Sequence, residues 1–127
     1  MPVKLTLSSD ERYLMYSASD PLAMEDLLLA YEEDREHRDR LAYKVHVIVD
    51  LSKVKRVPSN WLMAKAAPGF SHPRSGEVLF VGISESLRIF LNVLLKITGF
   101  KRVKLFNTLD EALEYMETLI TRPAQQA

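Results

Sequence analysis

The sequence predicts a single α/β domain in which an N-terminal antiparallel hairpin begins a mainly parallel sheet, in the order ββαβαβαβα. Three observations carry this. Val45 to Leu51 (VHVIVDL) and Glu77 to Ile83 (EVLFVGI) are β-branched, apolar runs of the kind that form strands covered on both faces. Stretches with helical apolar spacing alternate with them, which implies parallel strands joined by crossovers. The first seventeen residues instead hold two short alternating segments around a polar turn. With 127 residues, 47% of them hydrophobic, the chain suits one core, assigned to residues 1–122 with a short polar tail at 123–127.

Val3 to Leu7 and Arg12 to Ser17 form the hairpin, with SSDE as its turn. Ser19-Asp20-Pro21 supplies a cap and a first-turn proline for a helix whose Met24, Leu27, Leu28 and Tyr31 share one face. Its continuation, EEDREHRDR, mixes charges without an apolar stripe, so it is expected to be a solvated extension or a loop, with His37 exposed in it. Val45 to Leu51 is the central strand; His46 reads as a satisfied strand histidine, and Asp50 stands near the C-terminal end. Ligand and partner sites of open α/β sheets gather at that end.

A short helix is expected from Ser59 to about Ala67, stopped by Pro68-Gly69, followed by a loop, PGFSHPRSGE, that holds His72 and Arg74 as weak ligand candidates. After the strand Glu77 to Ile83, Ser84 opens a helix in which Leu87, Ile89, Phe90, Leu91, Val93, Leu94, Leu95 and Ile97 leave little polar surface before Gly99. So apolar a helix is expected to be buried on more than one side; a side left uncovered would be a dimer or partner surface, or the wall of a pocket. Arg102 to Phe106 is a last strand. Thr108 and Glu111 form a capping box for a final helix with an acidic face of Asp110, Glu111, Glu114 and Glu117.

Lysine plus arginine and aspartate plus glutamate both number 17, so no net field draws the chain to nucleic acid or an anionic membrane. The absence of cysteine excludes disulfides and thiol catalysis, and three separated histidines argue against a structural metal site. No leader-like segment and no membrane span is recognised, so a cytoplasmic location is expected. Neither Ser59 nor Ser84 lies in a G-x-S-x-G elbow, and the four glycines form no phosphate loop. Asp50 lacks a partner base, which makes the case for an enzyme weak. No cofactor is expected.

VIVDLSKVKRVPSNWL, and GEVLFVGISESLRIFLNVLLKITGFKRVKLFNTLDEALEYM after it, resemble the STAS domain of sulfate transporters and anti-sigma factor antagonists, over roughly Leu5 to Leu119. The resemblance implies a STAS-like regulator whose partner is a protein, such as an anti-sigma factor or a kinase-like regulator. It also lays the antagonists' phosphorylated serine on Ser59. Pro58, Asn60 and Trp61 stand where that motif has an acid, a second serine and a glycine.

Ser59 can therefore be a helix cap or a phosphoswitch, and Trp61 a core residue or an exposed anchor. The leading expectation is partner binding through Asp50, Lys53, Lys55, Arg56, Ser59, Asn60 and Trp61. The alternative is a small hydrophobic ligand or lipid held in an apolar pocket walled by Trp61, Phe70, Phe90 and Leu94. A homodimer through the apolar helix or the hairpin edge is a further expectation.

Overall fold

A computed structural model describes residues 3–121; the tail expected at 123–127 lies outside them. Strands β1 (Val3–Leu7) and β2 (Tyr13–Ser19) precede helix α1 (Met24–Arg40) and strand β3 (Val45–Lys53). A 3-10 helix (Trp61–Ala66) and a one-turn helix α2 (Pro68–Ser71) then lead to β4 (Ser75–Val81), α3 (Glu85–Thr98), β5 (Val103–Phe106) and α4 (Leu109–Thr121). The five strands lie side by side in chain order, β1 antiparallel to β2 and every later pair parallel.

Successive strand side chains point to opposite faces, and this alternation sorts the protein into two cores. Leu14, Tyr16 and Ala18 of β2, Val45 and Val47 of β3, and Val78 and Phe80 of β4 pack on one face with residues of α1 and α3. Ile48 of β3 and Leu79 and Val81 of β4 face the other way, onto Ala112, Met116 and Leu119 of α4. Parallel crossovers of one hand between sequential neighbours put the helices of every connection on the same side. The face they leave bare is covered by α4. Its N-terminus carries the reciprocal cap, with Glu111 N–H donating to Thr108 Oγ1 and Thr108 N–H to Glu111 Oε1, both at 3.2 Å.

Several elements differ from their sequence reading. α1 starts at Met24 with Ala23 as its uncapped N-cap, because Ser19 still pairs with Lys53 and Asp20 N–H donates to Lys53 O, holding the chain in the sheet. The Asp20 carboxylate accepts instead from Lys55 N–H at 2.9 Å. PGFS is not loop: Pro68 starts α2, and the buried Ser75 hydroxyl donates to Gly69 O, so β4 begins two residues earlier than expected. α3 buries only Leu91 and Leu94, leaving Ile89 64% and Ile97 52% exposed. The apolar stripe of that helix is wider than the single face the sheet can cover.

The largest correction concerns EEDREHRDR. It does not fray: α1 continues to Arg40 with most of the segment's side chains in solvent, but Asp34 and Arg38 on its inner face are fully buried. Arg38 Nε donates to Asp34 Oδ1 at 2.5 Å, Arg38 Nη1 to Val45 O at 2.8 Å, and Tyr16 hydroxyl to Asp34 Oδ2 at 2.6 Å. Four residues apart on a helix, the two charges share a face, and here that face is the inner one. His37, on the same segment, is half-exposed.

Removing one partner leaves the other charge buried without compensation, which costs about 3–5 kcal/mol. Arg38→Leu is thus expected to lower unfolding stability in urea by roughly that amount. The double variant Asp34→Leu/Arg38→Leu should lose less than the sum of the two single changes, since it strands no charge. Strict additivity would show that the pair is not coupled.

Candidate functional site

The connection from β3 to β4 has no full-length helix to lay across the sheet. Its side chains and the inner faces of α1 and α3 leave a cavity of about 140 Å³, partly open to solvent. The floor is Val47, Val49 and Leu51 of β3 with Val78 and Phe80 of β4, and the walls come from Leu27 and Tyr31 of α1 and Leu87 to Leu94 of α3. Trp61, Phe70, Phe90 and Leu94, the four residues expected to wall a pocket, all line it. Trp61 meets Phe90 edge to face, with ring centroids 4.7 Å apart at 71°. This is the favoured quadrupolar arrangement of two aromatics. Phe70 leans in turn on Phe100, at 5.4 Å.

Trp61 is half-buried against this cavity and is not an exposed anchor. Ser59 is exposed and caps nothing: Asn60, in left-handed backbone with φ 60, takes the N-cap position of the 3-10 helix, which has no side-chain cap bond. Asparagine tolerates that conformation better than most residues. It thereby ends the extended chain and turns Trp61 inward.

The expected partner-binding set is not one cluster. Val49 and Leu51 line the cavity, so Asp50 between them faces the opposite side of the sheet, where its Oδ1 accepts from Ser52 N–H at 3.0 Å and Ser52 hydroxyl at 2.7 Å. That closes a local turn and separates Asp50 from Trp61. Lys53, Lys55 and Arg56 are exposed and make no ion pair among the described residues, and with Ser59, Asn60, Leu62 and Met63 they form the outward surface of the corner. Beyond it, Gly82 (φ 65) approaches so closely that a Cβ there would lie 2.6 Å from Ser52 Cβ. The C-terminal ends of β3 and β4 are held together by that contact.

Tyr16, Tyr31 and Asp34 also line the cavity and are not among the four residues expected to wall it. Helical spacing puts Tyr31 on the apolar face of α1 but says nothing of where its hydroxyl ends. The usable signal was that two tyrosines on inward positions need polar partners. Asp34, three residues beyond Tyr31 on the same helix face, is the group the geometry brings to Tyr16.

The histidines are committed elsewhere. His72 Nδ1 accepts from Arg74 N–H at 2.9 Å while Nε2 lies 2.7 Å from Asp39 Oδ1, so both ring nitrogens are occupied. His46 is buried and accepts from Glu77 N–H through Nδ1 at 2.9 Å. Among the described residues no three His, Cys, Asp or Glu side chains gather to hold a metal ion, and no helix is long and apolar enough to cross a membrane. Comparison with protein-family models, curated proteins and solved structures finds no match to this chain.

Burial pushes the His46 imidazole down to about 4 against the nearby Glu77 charge, which pulls the other way. The unfolded chain, near 6.5, binds this proton more readily than the fold does. The stabilisation is therefore complete above pH 6.5 and is lost as the pH falls from there towards 4. Between pH 7.5 and 5 the loss from this group is about 2 kcal/mol. Denaturant titrations of wild type and His46→Gln should converge by that amount over the interval, glutamine being able to keep the bond to Glu77 N–H without titrating. A constant difference would assign the pH dependence to other groups.

Proposed function

We propose that this chain is a non-enzymatic, cytoplasmic, STAS-like domain that binds a small hydrophobic molecule in the cavity beneath Trp61. The supporting observation is the cavity itself, an almost wholly apolar space of about 140 Å³ at the C-terminal ends of β3 and β4. Native interiors contain few voids larger than a water molecule, and an apolar cavity near 150 Å³ is large enough to take up benzene. Here two aromatic rings, Trp61 and Phe90, form one wall. Filling the space returns dispersion contacts to groups that otherwise lack them.

Trp61 is the chain's single tryptophan, so its fluorescence reports the cavity directly. Toluene is expected to shift that emission saturably, with a dissociation constant on the order of 1 mM or tighter. Val49→Phe, which grows the floor into the space, should abolish the change. An unsaturable response, or one that survives Val49→Phe, counts against the reading. Native mass spectrometry of the purified protein adds a second readout, in which a co-purifying hydrophobic molecule is the expected result.

A second reading draws on the outer surface of the same corner. Leu62 and Met63 are 42% and 45% exposed beside the unpaired cations Lys55 and Arg56. That mixture of apolar side chains and free positive charge suits a protein partner with an acidic, partly apolar face. In this reading Ser59, exposed and free of a capping role, is the residue a regulatory kinase would modify. Lys55→Glu/Arg56→Glu should then reduce partner recovery in a pull-down, most strongly at low salt, and Ser59→Asp should change it. Recovery unaffected by either substitution would discard this reading. Self-association through the exposed Ile89, Val93 and Ile97 stripe of α3 belongs with it, and sedimentation across concentrations would reveal it as a dimer.

A further inference from the structure

The cavity has one polar feature that its apolar walls do not explain. Tyr31 lines it at 6% exposure, and its hydroxyl has no hydrogen-bond partner among the described residues. Its neighbour Tyr16, with ring centroids 6.0 Å away, has a hydroxyl already committed to Asp34. The Tyr31 hydroxyl keeps some access to solvent, so a ligand that supplies an oxygen replaces water there and gains the modest net free energy of one hydrogen bond.

The charges around the cavity restrict what that oxygen can belong to. Among the described residues no lysine, arginine or histidine lines the space, and the one charged residue there, Asp34, has its two oxygens engaged by Arg38 and Tyr16. A carboxylate entering here would meet no cation and would lie near an existing negative charge. An ammonium group would have to compete with Arg38 for Asp34. The volume admits an apolar body about the size of a benzene ring.

Building on the apolar-ligand reading above, we infer that the ligand is a small uncharged molecule with a ring-sized apolar body and one hydrogen-bonding oxygen, held by the Tyr31 hydroxyl. Burial and the Asp34 charge both push the Tyr31 hydroxyl above its ordinary range, so it is protonated and able to donate. Carbonyl, phenol and alcohol oxygens all accept such a bond, and the chemistry they share is a neutral acceptor at one end of an apolar group.

The test uses three probes, toluene, p-cresol and benzoate, titrated calorimetrically into the full chain and into Tyr31→Phe at neutral pH. Wild type is expected to bind toluene and p-cresol, and benzoate about tenfold more weakly or not at all. Tyr31→Phe, its fold checked by circular dichroism, should lose roughly three- to tenfold more affinity for p-cresol than for toluene. An equal effect of Tyr31→Phe on the two affinities, or benzoate bound as tightly as p-cresol, overturns the inference while leaving the cavity reading intact. Failure of wild type to bind both toluene and p-cresol removes the two together.

Discussion

The buried chain of groups from Tyr16 through Asp34 and Arg38 to the carbonyl of Val45 is the constraint on which the arrangement depends. It joins β2, α1 and the start of β3 through three hydrogen bonds, all of them charge-assisted, among buried side chains. Desolvating two charges is expensive, so such a pair contributes less to net stability than its short distances suggest. What it does contribute is position. Asp34 and Arg38 can satisfy their partners only when α1 lies at one rotation and one height over the sheet, a specificity that interchangeable apolar contacts would not impose. Tyr31, one turn earlier, is carried to its place above the cavity by the same constraint.

The cavity follows from an imbalance between connections. Between β2 and β3 the chain lays down seventeen residues of α1, and between β4 and β5 fourteen of α3, but between β3 and β4 only a six-residue 3-10 helix and the four residues of α2. A sheet face must be covered along its whole width, and short elements bring fewer inward side chains to do it. Trp61 and Phe70, both large aromatics, partly make up the deficit. The gap that remains is lined by α1 and α3 over β3 and β4. That this fold concentrates open space at strand ends is a property of its connections, and the apolar lining here is a property of this sequence.

Period-two alternation and β-branched runs made the strands legible, because one register buries a face and the next exposes it. Thr108 and Glu111 were legible because a capping box is a local device, settled within four residues. The charged half of α1 was not, since Asp34 and Arg38 at helical spacing look the same whether their face meets solvent or sheet; only the inward tyrosine of β2, distant in sequence, distinguishes the two. Ser59 misled for a related reason. A serine before an apolar helix satisfies the preference for an N-cap, yet the turn is made by Asn60 in left-handed backbone, and the hydroxyl is left outside. The apolar helix Leu87 to Ile97 with Trp61 and Phe70 makes the walls Trp61, Phe70, Phe90 and Leu94 legible, but not the polar corner formed by Tyr16, Tyr31 and Asp34.

The inner and outer surfaces of the β3–β4 corner belong to one short segment, and this ties the two proposed readings to each other. Val57, Pro58, Trp61 and Ala64 line the cavity, while Ser59, Asn60, Leu62 and Met63 between and beside them face outward. A 3-10 helix has poorer hydrogen-bond geometry than an α-helix, so its own backbone holds this segment less firmly. In the proposed reading, a molecule that packs on Trp61 favours the arrangement of Leu62 and Met63 that goes with the filled cavity. If a partner reads those residues, its affinity and that of the cavity ligand are linked, and linkage is reciprocal: whatever factor the ligand contributes to partner binding, the partner returns to ligand binding. The magnitude is limited by the difference in ligand affinity between the two arrangements of the corner, whatever the total affinity, so even a weakly bound neutral molecule could bias this surface if it distinguishes them.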